Sequence, residues 1–170
     1  MPNVGQIIHA HNKRMQQQTS TRRSTDVSAT CNCRNKSNCP LKGKCLEPNI
    51  VYQANVHHEQ QISKYIGITE PEFKSRYNVH GHSFRDPTKK LSTELSKKNW
   101  ELKDNDIDYT ISWEILQSAQ RYSAGRASCD LCTSEKFHIL KAWDKSLLNS
   151  RSELVSKCRH ARKFSLLGVT

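Results

Sequence analysis

Seven cysteines fall into two groups whose spacing suits metal binding. Cys31, Cys33, Cys39 and Cys45 lie within fifteen residues and can make a Cys₄ zinc site, although Cys-x-Cys is less regular than the common Cys-x-x-Cys knuckle. Cys129 and Cys132 have the spacing of half a zinc site, and Cys158-x-His160 completes a Cys₃His set from further along the chain. Cross-pairing between the groups stays open, as does the simpler alternative of unliganded buried thiols. Four soft ligands close the coordination sphere, so zinc held this way stabilises the chain or docks a partner and does not activate water.

A second group of residues shares one helical face. Arg76 and His80 are four residues apart, beside an apolar edge formed by Phe73 and Tyr77, so one face packs while the neighbouring face stays free to do chemistry. Lys74 adds a further positive charge. Over the whole chain, 27 Lys and Arg against 16 Asp and Glu leave a formal charge of +11 and a pI near 9.5. That balance favours polyanionic partners, nucleic acid first and anionic membrane second. A basic protein whose charges are merely solvated fits the balance equally well, so charge needs a motif beside it.

The elements that must position these residues follow from pattern. Residues 1–30, rich in Gln, Ser, Thr, Asn and Arg, read as a disordered basic arm. A cysteine-rich knuckle follows over 31–48. Ile50 to Val56 and Lys64 to Thr69 read as two strands joined by a polar loop, His57 to Ser63. Glu70-Pro71 opens a helix that Gly81 ends, and Ser92 caps a second helix that Asn105 closes. Tyr109 to Leu116 alternates as a third strand, and Thr133 to Trp143 returns to helical spacing through Phe137, Leu140 and Trp143. Trp100, Trp113 and Trp143 fit core positions, and a short helix around Glu153 to Lys157 precedes the end. The expected fold is α/β, a small three-stranded antiparallel sheet flanked by helices over 49–150, with cysteine-rich zinc-binding flanks and a C-terminal tail over 151–170 that carries the last ligands.

Ile50-Val51-Tyr52 and Tyr65-Ile66-Gly67 lie on the two strands with their tyrosines thirteen residues apart, and Arg76 follows on the next helix. Glu135 then lies early in a late helix, with Asn149 fourteen residues beyond. In this order the residues resemble the GIY-YIG nuclease superfamily over roughly residues 50–150. The flanking Cys-Asn-Cys-Arg, Cys129-Asp130-Leu131-Cys132 and Ser156-Lys157-Cys158-Arg159-His160 resemble more specifically the domain attached to Penelope-like retroelements. Ile50 stands where the family carries glycine, a change expected to be tolerated because the tyrosine carries the chemistry.

The resemblance implies a metal-dependent endonuclease that hydrolyses phosphodiester bonds in DNA, nicking for retroelement integration. It implies that Glu135 holds one Mg²⁺, that Arg76 forks onto the phosphate with Lys74 and His80 nearby, and that Tyr52 orients or deprotonates the attacking water. Tyr65 would hold water or phosphate, His80 would shuttle a proton with His82 as a weaker alternative, and Asn149 would tie a loop near the site. Each of these residues also has a plain role: sheet tyrosine, surface ion pair, helix-surface histidine, turn asparagine. The rival function is a zinc-stabilised nucleic-acid-binding module without turnover, and a purely structural basic protein is a third. No apolar run suits a signal peptide or a membrane span, so a nuclear or cytoplasmic place is expected, not secretion. A reverse-transcriptase module is absent from these residues, which leaves fragment, domesticated copy and separate module open, along with oligomeric state.

Overall fold

A computed structural model describes residues 3–21, 30–122 and 129–158. Three strands form one antiparallel sheet in the order β2-β1-β3: β1 is Ile50–His58, β2 Gln61–Thr69 and β3 Tyr109–Ser118. Helices α2 (Phe73–Ser83) and α3 (Glu94–Asp104) lie between β2 and β3 in sequence, and α4 (Asp130–Lys141) and α5 (Arg151–Val155) follow the sheet. The α/β class and the three-stranded antiparallel sheet with flanking helices are therefore as the sequence pattern requires. Among the described residues no helix is long and apolar enough to cross a membrane.

The central strand explains why the sheet has two cores. Ile50, Tyr52, Ala54 and Val56 share one face with Phe73 of α2, Leu95 and Leu102 of α3, and Trp113 of β3. Val51 points the other way and meets Ile66, Leu131 and Ile139, the last two from α4. A strand covered on both faces reads as a continuous apolar run, which is what Ile50-Val51-Tyr52 begins. Opposite Tyr52 the register of β3 slips: Val51 pairs Gln117 while Tyr52 pairs Ile115, leaving Leu116 as an extra bulged residue. Such a bulge bends the strand beside the residue it flanks.

Four local expectations need correction. The β1-β2 connection is not a long loop, because both strands run on to a two-residue turn, Glu59-Gln60, with φ of 43° and 62°. Two left-handed residues give the turn whose twist matches a hairpin, and the usual Asn or Gly signal for it is missing here. Helix α2 starts at Phe73 and passes through Gly81 to Ser83, since Gly81 has ordinary helical backbone and open space around it. Helix α3 is capped by Thr93, not Ser92, with the Thr93 side chain accepting from Ser96 N. On α4 the buried residues are Leu131, Ser134 and Ile139, so Phe137 and Leu140 face outward and Trp143, just beyond the helix, is 50% exposed and no core residue.

Part of the arm expected to be disordered is helical, and residues 22–29 of it lie outside the described residues. Val4–Thr21 forms a helix, α1. Its start is tied by Gln6 N donating to Asn3 Oδ1 at 2.9 Å and Asn3 N donating to Gln6 Oε1 at 3.0 Å, a reciprocal pair that satisfies two N–H groups at the helix end. Beyond Gly5 the helix contains neither Gly nor Pro, and Ala, Gln, Lys, Arg and Met are good helix formers, so a polar composition did not mean an unstructured one.

Candidate active site

Tyr52 is the centre of the site. Its side chain is fully buried, with its ring against Phe73 at 5.2 Å and Trp113 at 5.9 Å between centroids. One turn apart on α2, His80 and Arg76 converge on its oxygen: Tyr52 Oη lies 2.8 Å from His80 Nε2, and Arg76 Nε donates to it at 3.1 Å. Tyr65, 4% exposed, packs its ring at 6.0 Å from His80 and also engages the Arg76 guanidinium. Four of the residues singled out in the sequence thus form one contact network.

Gly67 makes that network possible. It sits opposite Tyr52 across the β1-β2 ladder, and a Cβ there would fall 2.6 Å from Tyr52 Oη, 2.8 Å from Cζ and 3.1 Å from Tyr65 Cε1. Only a residue without a side chain lets both rings cross the strand. Gly67→Ala is expected to cost about 1–3 kcal/mol of stability, read as a lower denaturant midpoint with an unchanged slope, because two buried rings must shift. Ile50, by contrast, is accommodated in the same core as Tyr52.

The electrostatics of the network set its protons. Burial first, and then the charge of Arg76, push His80 down to about 3, so the imidazole is neutral at neutral pH. Arg76 donates to the Tyr52 oxygen, and the same oxygen shares a second hydrogen bond with His80 Nε2. Burial raises the Tyr52 phenol above its ordinary value although Arg76 opposes it. Burial raises Tyr65 in the same way. A histidine held neutral by the fold binds a proton more readily when unfolded, and stability falls as pH drops from about 6.5 towards 3. Melting curves between pH 7 and pH 4 are expected to lose less for His80→Gln than for the native chain.

Glu135 stands on α4, which lies chiefly against the edge strand β2. Its charge acts on both Tyr52 and Tyr65. Asn149 is buried and reads the edge of β2: it accepts from Ile66 N at 2.8 Å and donates to Ile66 O at 2.8 Å. The segment before it extends the same contact, with Lys64 N donating to Ser146 O and Leu148 N to Lys64 O, both at 2.7 Å. Asn149 therefore ties this loop to the strand that carries Tyr65.

Glu153 is a site residue that the sequence analysis passed over. It accepts from Asn149 Nδ2 at 3.0 Å and Ser150 N at 2.9 Å, closing a capping box at the start of α5. Its charge also acts on both tyrosines, and burial raises its own carboxyl. Ser150-x-x-Glu153 is a readable helix-start signature and was the available signal. Lys74 stands apart: its ammonium donates to Asn32 Oδ1 at 2.6 Å, on the side of the N-terminal knuckle.

Both cysteine groups are assembled. The four Sγ atoms of Cys31, Cys33, Cys39 and Cys45 lie within 4.8 Å of one another, as do those of Cys129, Cys132 and Cys158. Cys45 Sγ is 3.6 Å from Cys33 Sγ and 3.5 Å from Cys31 Sγ. A tetrahedron of 2.3 Å zinc–sulfur bonds has edges of about 3.8 Å, so the donor set could hold zinc. Within this set the backbone N–H groups of Gly43 and Leu41 hold the Cys39 thiol down to about 6 against the cost of burial, whereas burial pushes the Cys45 thiol up to about 12. Cross-pairing between the two groups is not the arrangement found. His160, the expected fourth ligand of the second group, lies outside the described residues. Comparison of the chain with protein-family models, characterised proteins and solved structures gives no match.

Proposed function

We propose that this chain carries a GIY-YIG-type endonuclease domain that hydrolyses DNA phosphodiesters, resembling the domain of Penelope-like retroelements and suited to nicking DNA for integration. The observation that carries the proposal is the convergence of Arg76 Nε and His80 Nε2 on the Tyr52 oxygen, with Tyr65 on the same guanidinium. A purely structural protein has no need of a buried phenol poised between a neutral imidazole and a guanidinium.

The chemistry proceeds as a relay. Tyr52 has no exposed surface while Arg76 is partly exposed, so a phosphate meets Arg76 first, and its turn towards the phosphate uncovers the Tyr52 oxygen. As water attacks phosphorus, its proton passes to Tyr52 Oη and the phenol proton passes to His80 Nε2. The new P–O bond forms, the bond to the departing sugar oxygen breaks with that oxygen taking a proton from solvent, and Arg76 stabilises the charge that grows on the phosphate oxygens. Glu135 offers a single partly buried carboxylate, which suits Mg²⁺ because that ion keeps most of its waters and shares substrate oxygens. Held there, it would supply positive charge to the scissile phosphate and leaving oxygen.

A second function is favoured by one observation: Tyr52 is fully covered and its phenol is raised, as in a domain that keeps the fold and binds nucleic acid without turnover. Supercoiled plasmid with Mg²⁺ separates the two. Nicked or linear product supports the nuclease, while steeply salt-dependent binding without product supports the binding module.

A further inference from the structure

Helix α2 carries Arg76 and His80, and its start has an unusual partner. Glu72, at the cap position, gives no side-chain hydrogen bond to the first turn. The orphan N–H groups of a helix start must be satisfied by something else. Phe73 N donates to Glu47 O at 3.0 Å and Lys74 N donates to Cys45 O at 2.8 Å, both carbonyls of the cysteine knuckle. The Lys74 ammonium adds a bond to Asn32, which lies between Cys31 and Cys33. Leu41 of the knuckle packs into the core that holds Tyr52 and Phe73.

The knuckle has little of its own to hold it in shape. Between Thr30 and Asn49 its regular structure is one short turn at Lys36–Asn38, and its buried apolar side chains are Cys39, Leu41 and Cys45. A segment of that size gains its fold from a cross-link, and four convergent thiols provide one when a metal joins them.

We propose that zinc bound by Cys31, Cys33, Cys39 and Cys45 turns the knuckle into the N-terminal cap of α2, so that metal loading there sets where Arg76 and His80 stand on Tyr52. It acts through the carbonyls of Cys45 and Glu47, and these are positioning groups. The link to cleavage rests on the nuclease proposal, whereas the link to helix order does not.

The test uses the full zinc-loaded chain and reads metal content and amide exchange, neither of which requires cleavage. Cys33→Ser is expected to lose one equivalent of zinc and to speed exchange at Phe73 and Lys74 by about tenfold or more, while the β1 amides stay protected. Cys132→Ser, in the other thiol group, is expected to leave the α2 amides as they were. Lys74→Met removes only the side-chain bond to Asn32 and keeps the protein measurable should Cys33→Ser fail to fold; it is expected to speed exchange in the first turn with zinc retained. Cobalt(II) in place of zinc is expected to give the absorption of a tetrathiolate site in the native chain. Native protein without metal at these cysteines, or unchanged protection of the first turn in folded Cys33→Ser or, where that variant does not fold, in Lys74→Met, overturns the proposal. A protein that fails to nick plasmid but shows these exchange changes leaves it standing and removes only the nuclease.

Discussion

Tyr52→Phe is expected to slow DNA cleavage by about 10²–10⁴-fold while leaving DNA affinity nearly unchanged, the size of effect associated with loss of a positioned proton acceptor. The substitution keeps the ring that packs on Phe73 and Trp113 and removes the one atom on which Arg76 and His80 converge. It also leaves His80 Nε2, in a side chain only 1% exposed, without its partner. A buried polar atom left unsatisfied costs about 1–3 kcal/mol, so a lowered melting temperature is expected alongside the lost rate. A phenylalanine variant that cut at the native rate would show that the phenol is a packing group, and a loss of affinity equal to the loss of rate would show that it only shapes the DNA-binding surface.

Arg76→Ala is expected to lower the rate by about 10²–10³-fold, in the range set by removing one donor to charge developing in a transition state. Arg76→Lys is expected to recover little of it. One guanidinium engages Tyr52 through Nε and Tyr65 besides, and still has N–H groups to turn to a phosphate; an ammonium is a single point of charge. Binding should weaken less than cleavage, with the salt dependence of affinity reduced by about one phosphate contact. Single-turnover rates and titrations at two salt concentrations measure both quantities on the same variants, and full activity in Arg76→Lys would reduce the guanidinium to a simple charge.

How far the sequence reached can be seen in particular residues. The sheet was legible because β1 is covered on both faces and β3 alternates, and Arg76 and His80 were legible because i,i+4 spacing puts two side chains on one face whatever the helix packs against. The pairing of Asn149 with Ile66 was not, since a contact 83 residues apart in sequence leaves no periodic trace. Nor was the cap on α2: carbonyl groups of Cys45 and Glu47 carry no side-chain signature, and any residues there would present them. The Glu59-Gln60 turn escaped for the opposite reason, because its backbone does what Asn-Gly usually announces. The direction of the Tyr52 shift also depended on structure, for burial outweighs the guanidinium only once the depth of the phenol is known.

The most direct measurement is the nicking of supercoiled plasmid in Mg²⁺ by the native chain beside Glu135→Gln, at protein concentrations giving equal DNA occupancy and with equal melting curves. Glutamine keeps the shape of the side chain and removes the charge that acts on both tyrosines. Nicked product from the native chain and none from the variant is the predicted result; equal product from both, or none from either with DNA bound, would contradict a metal-dependent nuclease centred on these residues.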